Sequence, residues 1–129
     1  MKRIVIAEDE RSTRELIAAC VDGLGYAPIE CSDGLRALHA LEDNRDVALV
    51  ITDVLMPELD GRELVARLRA DDRWRDLPVC VTSGKVGPKA IAELLDLGAT
   101  AFLAKPIAVD ELKECIHRYA PAAYAHAVS

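Results

Sequence analysis

Short apolar runs alternate along this chain with stretches in which apolar residues recur at every third or fourth position. A short apolar run bounded by turn residues is typical of a buried strand, whereas the wider spacing is typical of an amphipathic helix. The pattern predicts five strands, at residues 4–7, 26–29, 47–52, 78–81 and 101–104. A predicted helix follows each strand, so the two periods alternate along the chain.

Capping and turn residues mark the ends of the predicted helices. Residues 12–15 have the capping-box pattern, which places the start of helix one at Ser12, and Gly23 ends its apolar stripe. The other boundary signals are Asp33 before helix two, Arg62 at the start of helix three, Pro88 in the first turn of helix four, Gly98 after it, and Tyr119 near the end of helix five. Residues 71–75, which are mostly charged, are predicted to form a solvated loop.

The strands are apolar on both faces, which is typical of a parallel sheet covered by helices. Because parallel crossover connections are right-handed, the helices must cover both faces of the sheet. The predicted fold is therefore α/β, a doubly wound five-stranded parallel sheet with five helices, flavodoxin-like, in the strand order 2-1-3-4-5. One domain is expected over residues 1–120, and the Ala-rich residues 121–129 are expected to be disordered.

Polar side chains follow the predicted strands at their carboxyl ends, where ligands bind in open α/β sheets. Taken alone, Asp53 could simply end a strand, since Asp is common at such positions. The full set comprises Glu8 and Asp9 after strand one, Asp53 after strand three, Thr82 or Ser83 after strand four, and Lys105 after strand five. Clustered carboxylates repel one another unless a divalent cation lies among them, and hard oxygen ligands favour Mg²⁺.

Composition and charge restrict the possible functions. With 129 residues, of which 51% are hydrophobic, the chain can form one globular domain with a sizeable core. The net charge of −6 argues against direct nucleic-acid binding and against binding to an anionic membrane. No apolar run approaches the ~20 residues of a membrane span, so the sequence predicts a cytoplasmic protein. The four cysteines are scattered and are expected to be reduced, packed thiols.

Taken together, these residues resemble the receiver domain of two-component response regulators. The resemblance covers essentially the whole ordered length and is carried by Glu8-Asp9, Asp53 with Met56-Pro57 and Asp60-Gly61, the hydroxyl after strand four, and Lys105-Pro106. The intervals of 44 residues from Asp9 to Asp53, 30 from Asp53 to Ser83 and 22 from Ser83 to Lys105 agree with that family. These intervals identify Ser83, and not Thr82, as the residue whose hydroxyl would take part in the switch. Thr82, one residue earlier, should point to the opposite face of the strand.

The resemblance implies a role for each matching residue. Asp53 would accept a phosphoryl group, and Mg²⁺ would be bound by Asp9, Asp53 and the backbone carbonyl of Leu55, with Glu8 assisting through water. Lys105 would pair with the phosphate, and Phe102 occupies the aromatic switch position. Leu55 and Lys85 flank the expected route of the water that removes the phosphoryl group. Two residues depart from the commonest pattern: Glu8 replaces an Asp, and Ser83 stands where Thr is more frequent.

The resemblance also implies the partners. The phosphoryl donor would be a histidine kinase or a histidine phosphotransfer protein, and the output would be contact with an unknown downstream protein. Such a chain catalyses only its own phosphorylation and dephosphorylation, so it is not an enzyme for an external substrate. A monomer or weak dimer is expected, because Thr100-Ala101 replace the acidic pair found in DNA-binding regulators that dimerise.

Three alternatives are less consistent with the residues. A flavodoxin-type cofactor-binding module would share the fold, but it needs a phosphate-cradling loop after strand one, where this chain has Glu8-Asp9-Glu10. A hydrolase with an Asp nucleophile would need a further acid or base beside Asp53 to activate water. A degenerate receiver would lack one of the acids or the lysine, and this chain retains them all.

Overall fold

The computed structural model describes residues 2–120, which form a five-stranded parallel sheet between two layers of helices. The strands are β1 (Arg3–Ala7), β2 (Ala27–Cys31), β3 (Val47–Asp53), β4 (Val79–Ser83) and β5 (Ala101–Ala104). The helices are α1 (Arg11–Gly23), α2 (Gly34–Asp43), α3 (Gly61–Ala70), α4 (Pro88–Leu97) and α5 (Val109–Tyr119). The strand order is β2-β1-β3-β4-β5, which confirms the predicted fold. The predicted disordered tail, residues 121–129, lies outside the described residues.

The core consists of two apolar clusters, one on each face of the sheet. Ile4, Ile6 and Ile51 pack with α1 and α5, whereas Val5 and Val50 pack with α2, α3 and α4. This division follows from the alternation of side chains along a strand. It also identifies which face of the sheet each residue at a strand end occupies.

β2 and β4 each begin one residue later and end two residues later than the sequence predicts. β2 extends to Cys31, and β4 continues through Thr82 and Ser83 instead of ending at Val81. The polar side chains of Thr82 and Ser83 do not interrupt the backbone ladder, since Asp53 pairs with Thr82 and Ser83 pairs with Ala104. The backbone of both residues is therefore held by the sheet, and their hydroxyl groups point to opposite faces.

The capping-box prediction for α1 is wrong. The helix begins at Arg11 with Glu10 as its N-cap residue, so Ser12 and Thr13 lie inside the first turn. Their hydroxyls donate hydrogen bonds to the Glu10 carboxylate, and they are therefore unavailable to cap the backbone. The cap of α2 is as predicted, because the Asp33 carboxylate accepts the backbone N–H of Arg36 at 2.8 Å.

A glycine at the start of α3 allows the helix to approach the end of β3. A Cβ atom at Gly61 would lie 2.1 Å from the carbonyl oxygen of Asp53. The backbone N–H of Gly61 donates to the carbonyl oxygen of Val54 at 2.9 Å, and the Asp60 carboxylate caps α3 by accepting the N–H of Glu63 at 2.8 Å. The loop after Asp53 is thus held against the sheet.

The cysteines are free thiols, as the sequence predicts. Cys31, Cys80 and Cys115 are buried and Cys20 is half-buried. Burial raises the pKa of the Cys31 thiol to about 11, so it remains protonated at neutral pH. Among residues 2–120, no helix has the length and apolar character needed to span a membrane.

Candidate functional site

Three carboxylates meet at the carboxyl ends of β1 and β3. Glu8, Asp9 and Asp53 each offer an oxygen atom, and these atoms all lie within 4.8 Å of one another. Glu8 and Asp53 are buried, whereas Asp9 is exposed. Three hard oxygen donors at this spacing, open to solvent on one side, fit a divalent cation such as Mg²⁺. The structure therefore brings together the predicted acidic residues.

Lys105 extends from the end of β5 to these carboxylates. Its Nζ lies 2.6 Å from Oε1 of Glu8 and 2.9 Å from Oδ2 of Asp53. Burial by itself would lower the pKa of Lys105, but the hydrogen bonds to Glu8 and Asp53 outweigh it and raise that pKa. The side chain is therefore an ammonium ion at neutral pH. In this arrangement it offsets part of the repulsion between the two acids.

Glu8 is held in place by more contacts than the sequence indicates. Its Oε2 accepts the backbone N–H of Glu10 at 3.0 Å, and its backbone carbonyl accepts a hydrogen bond from Nη1 of Arg14 at 3.0 Å. Burial raises the pKa of Glu8, and the hydrogen bond from Lys105 only partly opposes this effect. Arg14 in turn lies 3.5 Å from the carboxylate of Glu30 on β2. Nothing in the spacing of the sequence identifies Arg14 as a support for the site.

The two hydroxyl residues at the end of β4 face opposite sides of the sheet, as predicted. Ser83 follows Val79 and Val81 on the side of α2, α3 and α4, and its Oγ accepts the backbone N–H of Lys85 at 3.4 Å. Phe102 faces the same side, where it is half-buried against that cluster. Ser83 and Phe102 therefore lie on adjacent strands and on the same face of the sheet.

The two residues expected to influence dephosphorylation are both exposed. Leu55 is 67% exposed, although it is a large apolar residue, and Lys85 is also exposed. A groove beside the site is lined by residues of α1 and of the segment after β5, namely Glu10, Thr13, Leu16, Lys105, Pro106 and Ile107. Lys105 therefore borders this groove, whereas Asp53 itself is buried and Asp9 is the exposed member of the acidic cluster.

Comparison with known proteins identifies the family. The family model described as the response regulator receiver domain matches residues 4–117. The chain belongs to this family. Receiver domains are signalling domains of two-component systems and not conventional enzymes, and as a family they bind Mg²⁺ and interact with histidine kinases or phosphotransfer proteins and with downstream targets. This finding confirms the recognition of the chain as a receiver domain and removes the flavodoxin-type alternative.

Individual relatives agree with the receiver assignment over nearly the whole chain. The chemotaxis protein CheY1 of Helicobacter pylori is 30% identical over 113 residues, which cover 87% of this chain and 91% of that protein. The structure of chemotaxis protein CheY4 of Vibrio cholerae has a TM-score of 0.85 and 26% identity, and the match covers 92% of this chain and 98% of that one.

A third relative is itself described with a metal ion. The receiver domain of the sensor histidine kinase PA1611 of Pseudomonas aeruginosa has a TM-score of 0.82 and 26% identity, and the match covers 92% of this receiver and 96% of that one. That structure contains a magnesium ion coordinated in its active-site cleft.

Proposed function

We propose that Asp53 of this receiver accepts a phosphoryl group from a histidine kinase or a histidine phosphotransfer protein, in the presence of Mg²⁺. The observation that carries the proposal is the grouping of Asp53 with Glu8 and Asp9, whose oxygen atoms lie within 4.8 Å, and with Lys105, whose Nζ contacts Asp53 at 2.9 Å. The ion would be held by Asp9, Asp53 and the backbone carbonyl of Leu55, with Glu8 assisting through water. The magnesium ion described in the similar PA1611 receiver supports this assignment.

The transfer requires a carboxylate nucleophile and neutralised charge. An oxygen of Asp53 attacks the phosphorus atom, and the bond from phosphorus to the donor histidine nitrogen breaks, so that the nitrogen keeps the bonding electron pair. Mg²⁺, when bound, supplies positive charge to the phosphoryl oxygens. Lys105 supplies a second positive charge, which it can do only by exchanging contacts with Glu8 and Asp53 for contacts with the phosphoryl group.

Phosphorylation is proposed to change the surface formed by α4, β5 and α5. The new phosphoryl oxygens would accept a hydrogen bond from the hydroxyl of Ser83 and draw it towards Asp53. Gly84 has no Cβ to oppose this movement, and Phe102 can turn into the space that Ser83 leaves. The altered surface would then bind the downstream protein.

Incubation of the chain with acetyl phosphate and Mg²⁺ tests the function directly. Intact mass spectrometry should show one added phosphoryl group, and peptide mapping should place it on Asp53. Omission of the metal with EDTA should prevent the addition. A chain that remains unmodified with Mg²⁺, while a known receiver is modified in parallel, would refute the proposal.

The lifetime of the phosphorylated state should be controlled by Leu55. In this family the residues two beyond the phosphorylated Asp and two beyond the switch hydroxyl flank the route of the attacking water. Leu55 is apolar and cannot orient a water molecule, so this receiver should lose its phosphoryl group slowly. Leu55→Asn should therefore accelerate dephosphorylation severalfold, as measured by the decay of the phosphorylated mass after the acetyl phosphate is removed.

Leu35→Asn is the matched control for the lifetime prediction. It makes the same chemical change at another exposed Leu, which lies in the first turn of α2 and does not belong to the acidic cluster. This variant should decay at the wild-type rate. An unchanged rate in Leu55→Asn, with metal affinity intact, would remove Leu55 from the mechanism.

This receiver is not expected to dimerise through α4, β5 and α5. The regulators that dimerise this way carry an acidic pair before the aromatic residue of strand five, where this chain has Thr100 and Ala101. The structure gives Thr100 another role, because its Oγ1 accepts the backbone N–H of Val79 at 2.9 Å. The mass measured by light scattering should stay monomeric with and without beryllofluoride. A dimer that forms only with beryllofluoride and uses this surface would contradict the prediction.

A further inference from the structure

A buried hydroxyl with no assigned role lies beside the acidic cluster. Thr82 is 1% exposed, and the Oγ1 atom of its side chain has no hydrogen-bond partner within the described part of the chain. Buried polar side chains are nearly always hydrogen-bonded, since a buried group without a partner loses its interaction with water and gains nothing in return. This exception therefore requires an explanation.

The sheet register places Thr82 in the same row as the two buried acids. Ala7 pairs with Thr52, so Glu8 and Asp53 follow side by side, and Asp53 pairs directly with Thr82. Alternation along β4 puts Thr82 on the face of Cys80, which packs in the cluster with Ile6 and Ile51. Glu8, Asp53 and Thr82 thus occupy neighbouring strands on one face.

Lys105 must cross this row to reach its partners. Lys105 directly follows β5, which is separated from β3 by β4, and neighbouring strands lie about 4.8 Å apart. The stem of Lys105 therefore passes over the end of β4, and its Cβ would lie 3.5 Å from a Cβ atom built at Gly84. Thr82 faces the same side of β4, beneath the path of this side chain.

The ammonium group of Lys105 has three N–H donors, and two acceptors are identified for it here, Glu8 and Asp53. A divalent cation bound to these carboxylates would repel the ammonium group, and a phosphoryl group on Asp53 would attract it away from Glu8. Movement away from Glu8 on β1 is movement back towards β5. That path brings Nζ over β4, where the unpaired hydroxyl of Thr82 lies.

We propose that Thr82 is a positioning residue for Lys105: its Oγ1 accepts a hydrogen bond from Nζ when Mg²⁺ and a phosphoryl group are bound, and thereby holds the ammonium group against the phosphate. The inference rests on the proposed function of Asp53. It gives the unpaired hydroxyl a partner in the phosphorylated state and none in the resting state. Thr82 would thus favour the first state over the second.

Thr82→Val tests the inference because it removes the hydroxyl and keeps the shape of the side chain. The probe is beryllofluoride with Mg²⁺, a stable analogue of the phosphoryl group, and its affinity is measured by NMR titration. Thr82→Val should bind the analogue roughly tenfold more weakly than the wild type, as expected for the loss of a hydrogen bond to a charged group. In the metal-free protein the same variant should melt about 3 °C higher, because an unpaired buried hydroxyl has been removed.

Thr82→Ser is the matched control, since it keeps the hydroxyl and should restore analogue affinity to within about twofold of the wild type. The opposite signs of the two effects in Thr82→Val distinguish positioning from a merely structural role, which would leave analogue affinity unchanged. Unchanged affinity in Thr82→Val, or a lower melting temperature of its metal-free form, would overturn the inference. Failure of the wild-type protein to bind the analogue would instead overturn the proposed function, and this inference with it.

Discussion

Asp53→Asn is expected to abolish phosphorylation of this receiver. The amide that replaces the carboxylate is not a nucleophile towards phosphorus, and its neutral oxygen is a weaker ligand for Mg²⁺ than the carboxylate. After incubation with acetyl phosphate and Mg²⁺, the wild-type chain should gain one phosphoryl group and the variant none. Intact mass measured over a time course gives both extents in the same experiment.

The structure indicates that this variant should still fold. Without the charge of Asp53, Lys105 keeps its ion pair with Glu8 at 2.6 Å, so no buried charge is left without a partner. A circular dichroism spectrum and a melting temperature close to those of the wild type would show that Asp53→Asn is folded, and that it lacks phosphorylation because it lacks the nucleophile.

Asp72→Asn is the matched control for the phosphorylation experiment. Asp72 lies in the exposed loop after α3, where its carboxylate pairs with Arg75, and it has no contact with the acidic cluster. The control should be phosphorylated like the wild type. Equal phosphorylation of Asp53→Asn under the same conditions would mean that the phosphoryl group resides on a different residue.

Ser83→Ala should separate phosphorylation from its structural effect. The variant keeps the acids and Lys105, so it should accept the phosphoryl group to nearly the wild-type extent. It lacks the hydroxyl that the phosphate would draw inward, so the loop at residues 84–88 and the ring of Phe102 should respond much less. Amide and aromatic chemical shifts recorded with and without beryllofluoride measure this response.

The expected size of the effect follows from the energy that a switch requires. A change in the active population from 1:99 to 99:1 needs about 5.5 kcal/mol, whereas one hydrogen bond to a charged group contributes about 1.5–3 kcal/mol. Ser83 and Lys105 must therefore act together. Loss of Ser83 alone should reduce the equilibrium constant for activation roughly tenfold or more.

Ser32→Ala is the control for Ser83→Ala, because this serine lies at the junction of β2 and α2, outside the acidic cluster. It should respond to beryllofluoride like the wild type. If Ser83→Ala shows the full wild-type shift changes at residues 84–88 and Phe102, the switch depends on another group and the role of Ser83 is wrong.

The sequence predicts the composition of the site because its residues lie at the ends of apolar strands. The carboxyl end of a buried strand is recognisable from the local pattern of apolar and polar residues. Because the carboxyl ends of parallel strands lie at the same edge of a sheet, the sequence alone predicts that Asp53, Glu8 and Lys105 lie close together. The alternation of side chains along a strand likewise predicts that Ser83 and Thr82 point to opposite faces of the sheet. These are consequences of regular backbone geometry.

The features that the sequence did not predict depend on which atoms meet across the fold. The pairing of Lys105 with both buried acids joins residues far apart in the chain, and the support of Glu8 by Arg14 joins the end of a strand to a side chain of the following helix. The start of α1 was misplaced because the hydroxyls of Ser12 and Thr13 have another acceptor, Glu10, which competes with the backbone. Local spacing contains no information about such competition.

Helix α4 differs from its neighbours in how little of it is buried. Leu94 is its one buried residue, whereas α3 buries four residues and α5 buries three. Leu95 on the same helix is 44% exposed. Most positions of α4 are therefore free to change in evolution without loss of core packing or of the acidic cluster. The proposed partner surface can therefore change on this helix while the acidic cluster stays the same.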